Sequence, residues 1–173
     1  MRLPRRVPWA HIGELEQVCS WVYADEEDLE AKTLAINRVG SSTFHTSNLS
    51  HLFQLSAWKA ITPLPHALDS ALAVLAARML DLSCGDTLSA KTALGLRQTY
   101  AIAIIRMVNG LVDPLQSGAY ARSIAAIATQ LGLPPWLVEL RHAATHEDLP
   151  SLELLREAGR EVIGYINADT WVS

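Results

Sequence analysis

Two cysteines in 173 residues are too few to build a fold on disulfides, and Cys19 and Cys84 share no metal-ligand spacing. Free thiols in a reducing compartment are expected, a lone bridge being the other arrangement, and neither cysteine has the sequence context of a nucleophile. A basic excess is missing as well. Fourteen Lys and Arg stand against eighteen Asp and Glu, for a net charge of −4, so the surface as a whole does not attract nucleic acid and any RNA or DNA contact has to be local. No uncharged stretch is long and apolar enough to span a bilayer, and the arginines of "MRLPRR" are not followed by the apolar segment of a signal peptide. A soluble, unprocessed protein without a membrane partner is expected. Those three arginines, broken by a proline, fit a weak nuclear address or a solvated end. Strand-like alternation is almost absent, and no segment repeats.

What is there is helical periodicity. Apolar residues recur at spacings of three and four over most of the length, which predicts an all-α helical bundle of few, long helices. A first helix is expected near 10–23 and a second near 26–38, where "EEDLE" supplies the acidic start a helix favours. "TPLPHALDSALAVLAARMLDL" predicts a helix entered after Pro65, with prolines before it and none inside. "KTALGLRQTYAIAIIRMVNGLV", residues 91–112, is apolar on nearly all sides and predicts the central helix, ending at Asp113-Pro114. A further helix in "SGAYARSIAAIATQLGLPPW" is stopped by Gly132 and Pro134, and Pro135 then opens one that carries Leu137, Leu140 and Ala144 inward and closes near Leu149-Pro150. A last helix is expected over 151–168. The uncharged, Ser/Thr/Asn-rich stretch "GSSTFHTSNLSHLFQ", residues 40–54, has no period and reads as a loop or disordered insertion in a single domain spanning 1–173.

The chemistry-bearing stretch is "LVELRHAATHEDLP", residues 137–150. At about 100° per residue, His142 and His146 lie about 40° apart on one helical face and can address one substrate, whereas Arg141 and His146 are about 140° apart. They converge through the arginine's length or through a second copy of the helix. Cleaving RNA without a metal needs a base for the 2′-hydroxyl proton, an acid for the departing 5′-oxygen and a fixed cation for the phosphate. Two imidazoles and a guanidinium supply all three. The same spacing also fits a solvated helix face, or a metal pair. The metalloprotease form of the latter needs Glu directly after the first histidine, where Ala143 stands. Thr145 is expected to bond back to a helix carbonyl, and Glu147 and Asp148 to face a histidine or water. Arg106 is expected to pair with Asp113 or hold the motif helix. Arg97, Arg122, Arg156 and Arg160 form either an RNA track or scattered solvated charges, and His66 sits at a helix entrance, where capping is expected.

These residues carry a resemblance. "IIRMVNGLVDPLQSGAYARSIAAIATQLGLPPWLVELRHAATHEDLPSLELLREA", with "VPW" at 7–9 and "AWKAITPLPHALDSALAVL" at 57–75, resembles the signature blocks of the Las-one-like family, endoribonucleases of ribosomal RNA processing. The resemblance covers nearly the whole chain outside 40–54. It implies a HEPN-type helical domain that acts as a homodimer and cleaves RNA without a metal or other cofactor. The family's R-x-x-x-x-H motif falls on Arg141 and His146, and its additional histidine on His142, as the catalytic residues. It further implies cleavage of pre-rRNA in the internal transcribed spacer between 5.8S and large-subunit rRNA, leaving 2′,3′-cyclic phosphate and 5′-hydroxyl ends, in the nucleolus. A polynucleotide kinase partner, which phosphorylates that hydroxyl, is implied too; in the family its contacts are carried by segments beyond the matched blocks. The alternative expectation is a catalytically silent helical module that scaffolds a kinase or pre-ribosome complex.

Overall fold

The computed structural model describes residues 7–22, 56–85, 87–116 and 122–169. The helix expected near 26–38 and the insertion at 40–54 lie outside the described residues. Among those residues the chain is all-α, with no strand. Its elements are α1 (Ile12–Val22), α2 (56–61), α3 (His66–Ser83), α4 (Ala90–Val112) with a 3-10 turn at Asp113–Leu115, α5 (Ile124–Gln130), α6 (Pro135–His146) and α7 (Leu152–Asp169). The chain divides into two compact units, Met1–Leu72 and Ala73–Ser173, the division falling inside α3.

In the first unit, α1 starts where His11 accepts the Glu14 N–H, through both its carbonyl and Nδ1, while the Glu14 carboxylate accepts the Ala10 N–H at 2.9 Å. These bonds satisfy amides that a helix start leaves without intrahelical partners. Leu15, Val18, Trp58, Leu68, Ala71 and Leu72 are buried, and Trp9 stacks tilted on Trp58 with centroids 5.7 Å apart. Pro65 accepts the Asp69 N–H at 3.0 Å as α3 begins, the proline-led start expected from the sequence. Asp69, in that first turn, pairs with Lys59. His66 does stand at the helix entrance, and its Nε2 lies 3.3 Å from Ser70 Oγ, one turn on. Both cysteines are free and partly buried, and burial pushes the Cys19 thiol up to about 11, away from the thiolate that a nucleophile requires.

The second unit is organised around α4, which packs against α5, α6 and α7. Ser89 caps it by accepting the Thr92 N–H at 3.1 Å, and Leu96, Tyr100, Ile104, Met107, Val108 and Val112 are buried along it. Burying each large apolar side chain stabilises the fold by about 1.5–3 kcal/mol. The helix is central, as its composition predicts, yet not enclosed: Leu94 and Ile102 are 46% and 58% exposed on a stripe that also carries Gln98 and Arg106. Gly159 lets α7 come close; a Cβ there would sit 3.1 Å from Tyr100 Cε1 and 3.4 Å from Val74 Cγ1. Helix α5 ends in a Schellman turn, with Leu133 N–H donating to the Ala128 carbonyl and Gly132 N–H to that of Thr129. Gly132 there has φ 70, a left-handed conformation that a Cβ would strain. Two prolines follow, and Pro135 occupies the first turn of α6, where its missing N–H costs nothing. Thus α6, the helix of the R-x-x-x-x-H spacing, begins where the sequence punctuation puts it. It stops earlier than Leu149-Pro150, at His146, because Glu147 turns to extended backbone while donating its N–H to the Ala143 carbonyl at 2.9 Å.

Candidate functional site

Helix α6 buries Leu137, Val138 and Leu140 and leaves its last turn open. The expected inward residues Leu137 and Leu140 are buried, and Ala144 is half-buried. On the open turn the imidazoles of His142 and His146 stand together, ring centroids 4.9 Å apart and planes tilted by 48°. Both are exposed. His142 Nε2 lies 3.7 Å from Glu147 Oε1, an exposed pairing at the helix end. Asp148 is exposed. Thr145 donates its hydroxyl to the Arg141 carbonyl at 2.7 Å, the back-bond expected of it.

Arg141 takes the other direction. It is half-buried and its Nε–H donates to Asn109 Oδ1 on α4 at 2.8 Å. No hydrogen bond or ring contact joins Arg141 to either imidazole among the described residues, so one helix brings the two histidines together and holds the arginine apart, in line with its angular position. A helix's carboxyl end carries partial negative charge. An anion brought to this turn therefore has no backbone amides to meet and depends on side-chain donors, the Arg141 guanidinium first among them.

Four other arginines, Arg97, Arg122, Arg156 and Arg160, bond elsewhere. Arg97, on α4, donates Nε–H to the Pro150 carbonyl at 2.7 Å and Nη2–H to that of Leu149, fixing the segment that leaves the motif helix. Arg156 grips Asp81 through two bonds of 2.7 Å, Nε to Oδ2 and Nη2 to Oδ1, and Asp81 Oδ2 also accepts the Tyr100 hydroxyl at 3.2 Å. Burial, with the charge of Asp81 and that hydrogen bond added, pushes the Tyr100 phenol far up, while the hydrogen bonds that Arg156 donates to Asp81 raise the guanidinium further. Arg160 pairs with Glu157, and Arg122 with Gln130. Each of Arg97, Arg122, Arg156 and Arg160, expected to form an RNA track or a solvated scatter, makes a local or interhelical bond. Arg106 is exposed on α4, and Asn109, three residues on, accepts a bond from Arg141 of the motif helix.

Asn109 and Asp81 escape a reading by local pattern, since their partners lie 32 and 75 residues away. A signal for Asn109 does exist: it is a carboxamide near the end of the apolar run "YAIAIIRMVNGLV", where a partly buried polar group needs a partner. Among the described residues no group of three His, Cys, Asp or Glu is placed to hold a metal ion, and no helix is long and apolar enough to cross a membrane.

Comparison with known proteins gives the family. The Las1-like family profile matches residues 7–173. Protein LAS1 of Saccharomyces cerevisiae is 34% identical over 171 residues, covering 97% of this chain and 31% of that protein. The pre-rRNA-processing protein las1 of Schizosaccharomyces pombe is 35% identical over 117 residues, 68% of this chain and 23% of its own length. The ribosomal biogenesis protein LAS1L of Mus musculus is 26% identical over 165 residues, 95% of this chain and 18% of that protein. The chain thus spans less than a third of the length of each of these relatives.

Proposed function

This chain belongs to the Las1-like family, and from that premise we propose that it is a HEPN-type, metal-independent endoribonuclease of pre-rRNA processing, with Arg141, His142 and His146 as its catalytic residues. The observation that carries the proposal is the placement of two exposed imidazoles with centroids 4.9 Å apart on the last turn of α6, on the same helix as an arginine that bonds Asn109 through its Nε–H. The names of two relatives, a pre-rRNA-processing protein and a ribosomal biogenesis protein, support the substrate class and a place of work in the nucleus, at the nucleolus.

In the proposed reaction one imidazole accepts the proton of a ribose 2′-hydroxyl as that oxygen attacks the adjacent phosphorus. The bond from phosphorus to the 5′-oxygen breaks, and the second imidazole, protonated, gives its proton to the leaving oxygen. The products are a 2′,3′-cyclic phosphate and a 5′-hydroxyl, and no atom comes from outside the RNA and the two histidines. Each proton transfer is worth roughly 10²–10⁴ in rate. Arg141 contributes a fixed guanidinium that hydrogen-bonds the phosphate oxygens as charge builds on them. The bond cut is assigned to the internal transcribed spacer between 5.8S and large-subunit rRNA, and a polynucleotide kinase is the partner that the 5′-hydroxyl product calls for.

A second copy of the chain completes the site. The Arg141 and His146 positions differ by about 140° around one helix, so a facing copy brings one protomer's arginine to the other's histidines. The exposed motif turn leaves room for such an approach. Ile102, 58% exposed, lies on α4 one heptad from Asn109, about 10 Å along the axis, and offers apolar surface to the partner copy.

The test is an end-group assay. The chain, incubated with spacer RNA in EDTA, is expected to leave cyclic-phosphate and 5′-hydroxyl termini at an unchanged rate and to elute as a dimer at micromolar concentration. Inhibition by EDTA that zinc reverses would replace the proposal with a metal-dependent hydrolase. RNA left intact, with and without the kinase present, would replace it with a silent scaffold.

A further inference from the structure

The proposed chemistry asks Arg141 to meet a phosphate at a helix end whose backbone repels anions, and a free arginine side chain has several rotatable bonds to spend before it does so. The structure restricts that freedom from one side only. Asn109 Oδ1 takes the Nε–H, at 2.8 Å, and this leaves the end-on fork of the guanidinium open to a phosphate. The two terminal nitrogens, which form an end-on fork, hydrogen-bond to no other group among the described residues. The acceptor is a carboxamide, so it orients the cation without cancelling its charge, unlike the carboxylate that grips Arg156 a short way along the same unit. Asn109 itself sits on α4, whose neighbouring residues Met107, Val108 and Val112 are buried, and a rigid helix holds the acceptor in place.

We infer that Asn109 is the positioning residue for Arg141: it fixes the guanidinium plane through Nε and aims the terminal nitrogens at the scissile phosphate. The inference rests on the reading of Arg141 as the phosphate-binding cation. Asn109 does not touch the reacting atoms and acts through the arginine alone. Losing a hydrogen bond to a charged group corresponds to a fall of about 10- to 100-fold in kcat/KM, and misaim of an arginine by an ångström is of the same order.

The experiment uses the full chain, with Asn109→Ala and, to keep the side-chain volume while removing the acceptor, Asn109→Leu. Both are expected to retain the wild-type circular dichroism spectrum, because alanine and leucine are strong helix formers, and both to lose cleavage of spacer RNA about 10- to 100-fold. A double-mutant cycle supplies the readout that a structural role does not move. Affinity for the same RNA carrying 2′-O-methyl groups, which cannot be cleaved, is measured with Arg141 present and with Arg141→Ala. Asn109→Ala is expected to weaken binding in the first background and to change nothing in the second. Equal losses in both backgrounds, or a wild-type cleavage rate in Asn109→Ala while Arg141→Ala is dead, would overturn the inference and leave the proposed function standing. A wild-type chain that leaves RNA uncut, or an Arg141→Ala variant that cuts at the wild-type rate, overturns the proposed function and the inference together.

Discussion

Asp81 and the pair His142 and His146 are polar groups of the same compact unit in opposite situations. The Asp81 side chain, on a residue only 8% exposed, has its oxygens taken by the Arg156 guanidinium and the Tyr100 hydroxyl. The two imidazoles face solvent at a helix end, with each other and the carboxylate of Glu147 for company. A buried charge must be paired or the fold loses several kcal/mol, and so the Asp81 cluster ties α3, α4 and α7 to one another. The histidines contribute little to stability and keep their hydrogen-bonding atoms available. Arg141 stands between the two regimes, half-buried and held by one neutral bond. Polar residues that brace the fold and polar residues left open to solvent are distinguished here by how fully other groups of the chain take their hydrogen-bonding atoms.

That contrast can be broken by substitution. The largest effect is expected at the open cluster: Arg141→Ala or His146→Ala should lower spacer-RNA cleavage by about 10²–10⁴ or more, with thermal midpoint and helical signal at wild-type values. A midpoint that falls with the activity would place these residues with Asp81 among the braces. Asp81→Ala should do the reverse. It leaves Arg156 unpaired, though that side chain is 35% exposed and water recovers part of the loss, so a cost of about 2–3 kcal/mol is expected. At about 2–4 °C per kcal/mol for a chain of this size, the midpoint drops by roughly 5–10 °C, while cleavage well below it persists.

A subtler distinction comes from alkaline titration. The folded chain holds the Tyr100 phenol neutral to a higher pH than the unfolded chain does, chiefly by burial and then through Asp81. The stability tied to this group is therefore complete below about pH 10, the ordinary phenol value, and is lost as pH rises toward that of the folded phenol. Tyr100→Phe should cost about 1 kcal/mol at neutral pH and flatten the alkaline arm of a plot of denaturation midpoint against pH. The smallest effect is expected from Glu147→Gln. An exposed pair 3.7 Å apart contributes at most about 0.5 kcal/mol, so neither stability nor cleavage should move more than about twofold. A large loss of cleavage would make Glu147 a working part of the site.

Much of the fold can be read along the chain because its causes are local. The apolar period marks α3, α4 and α7 to within a residue or two of Pro65, Val112 and Leu152. The Gly132 turn and the Pro134-Pro135 pair mark the break before α6 for a stereochemical reason, a left-handed φ and a ring without an N–H. Helix α6 ends earlier than its pattern predicts. Leu149 and Pro150 read as a continuation of the helix, whereas Arg97, fifty-two and fifty-three residues back, holds their carbonyls in the segment beyond it. The adjacency of His142 and His146 follows from a spacing of four. The commitment of Arg156 to Asp81, and of Arg141 to Asn109, follows from no spacing at all.

The order of residues, by itself, determined the helical class, the places where helices start and stop, and the shared face of the two histidines, because each depends on groups within a few peptide units of one another. Tertiary structure alone decided that Arg156 is spent on Asp81 while Arg141 keeps its terminal nitrogens open. Interhelical packing brings distant polar groups into a poorly solvated space, and there every donor must find an acceptor; the carboxylate of Asp81 claimed one arginine outright, while the amide of Asn109 took a single bond from another and left its charge uncompensated.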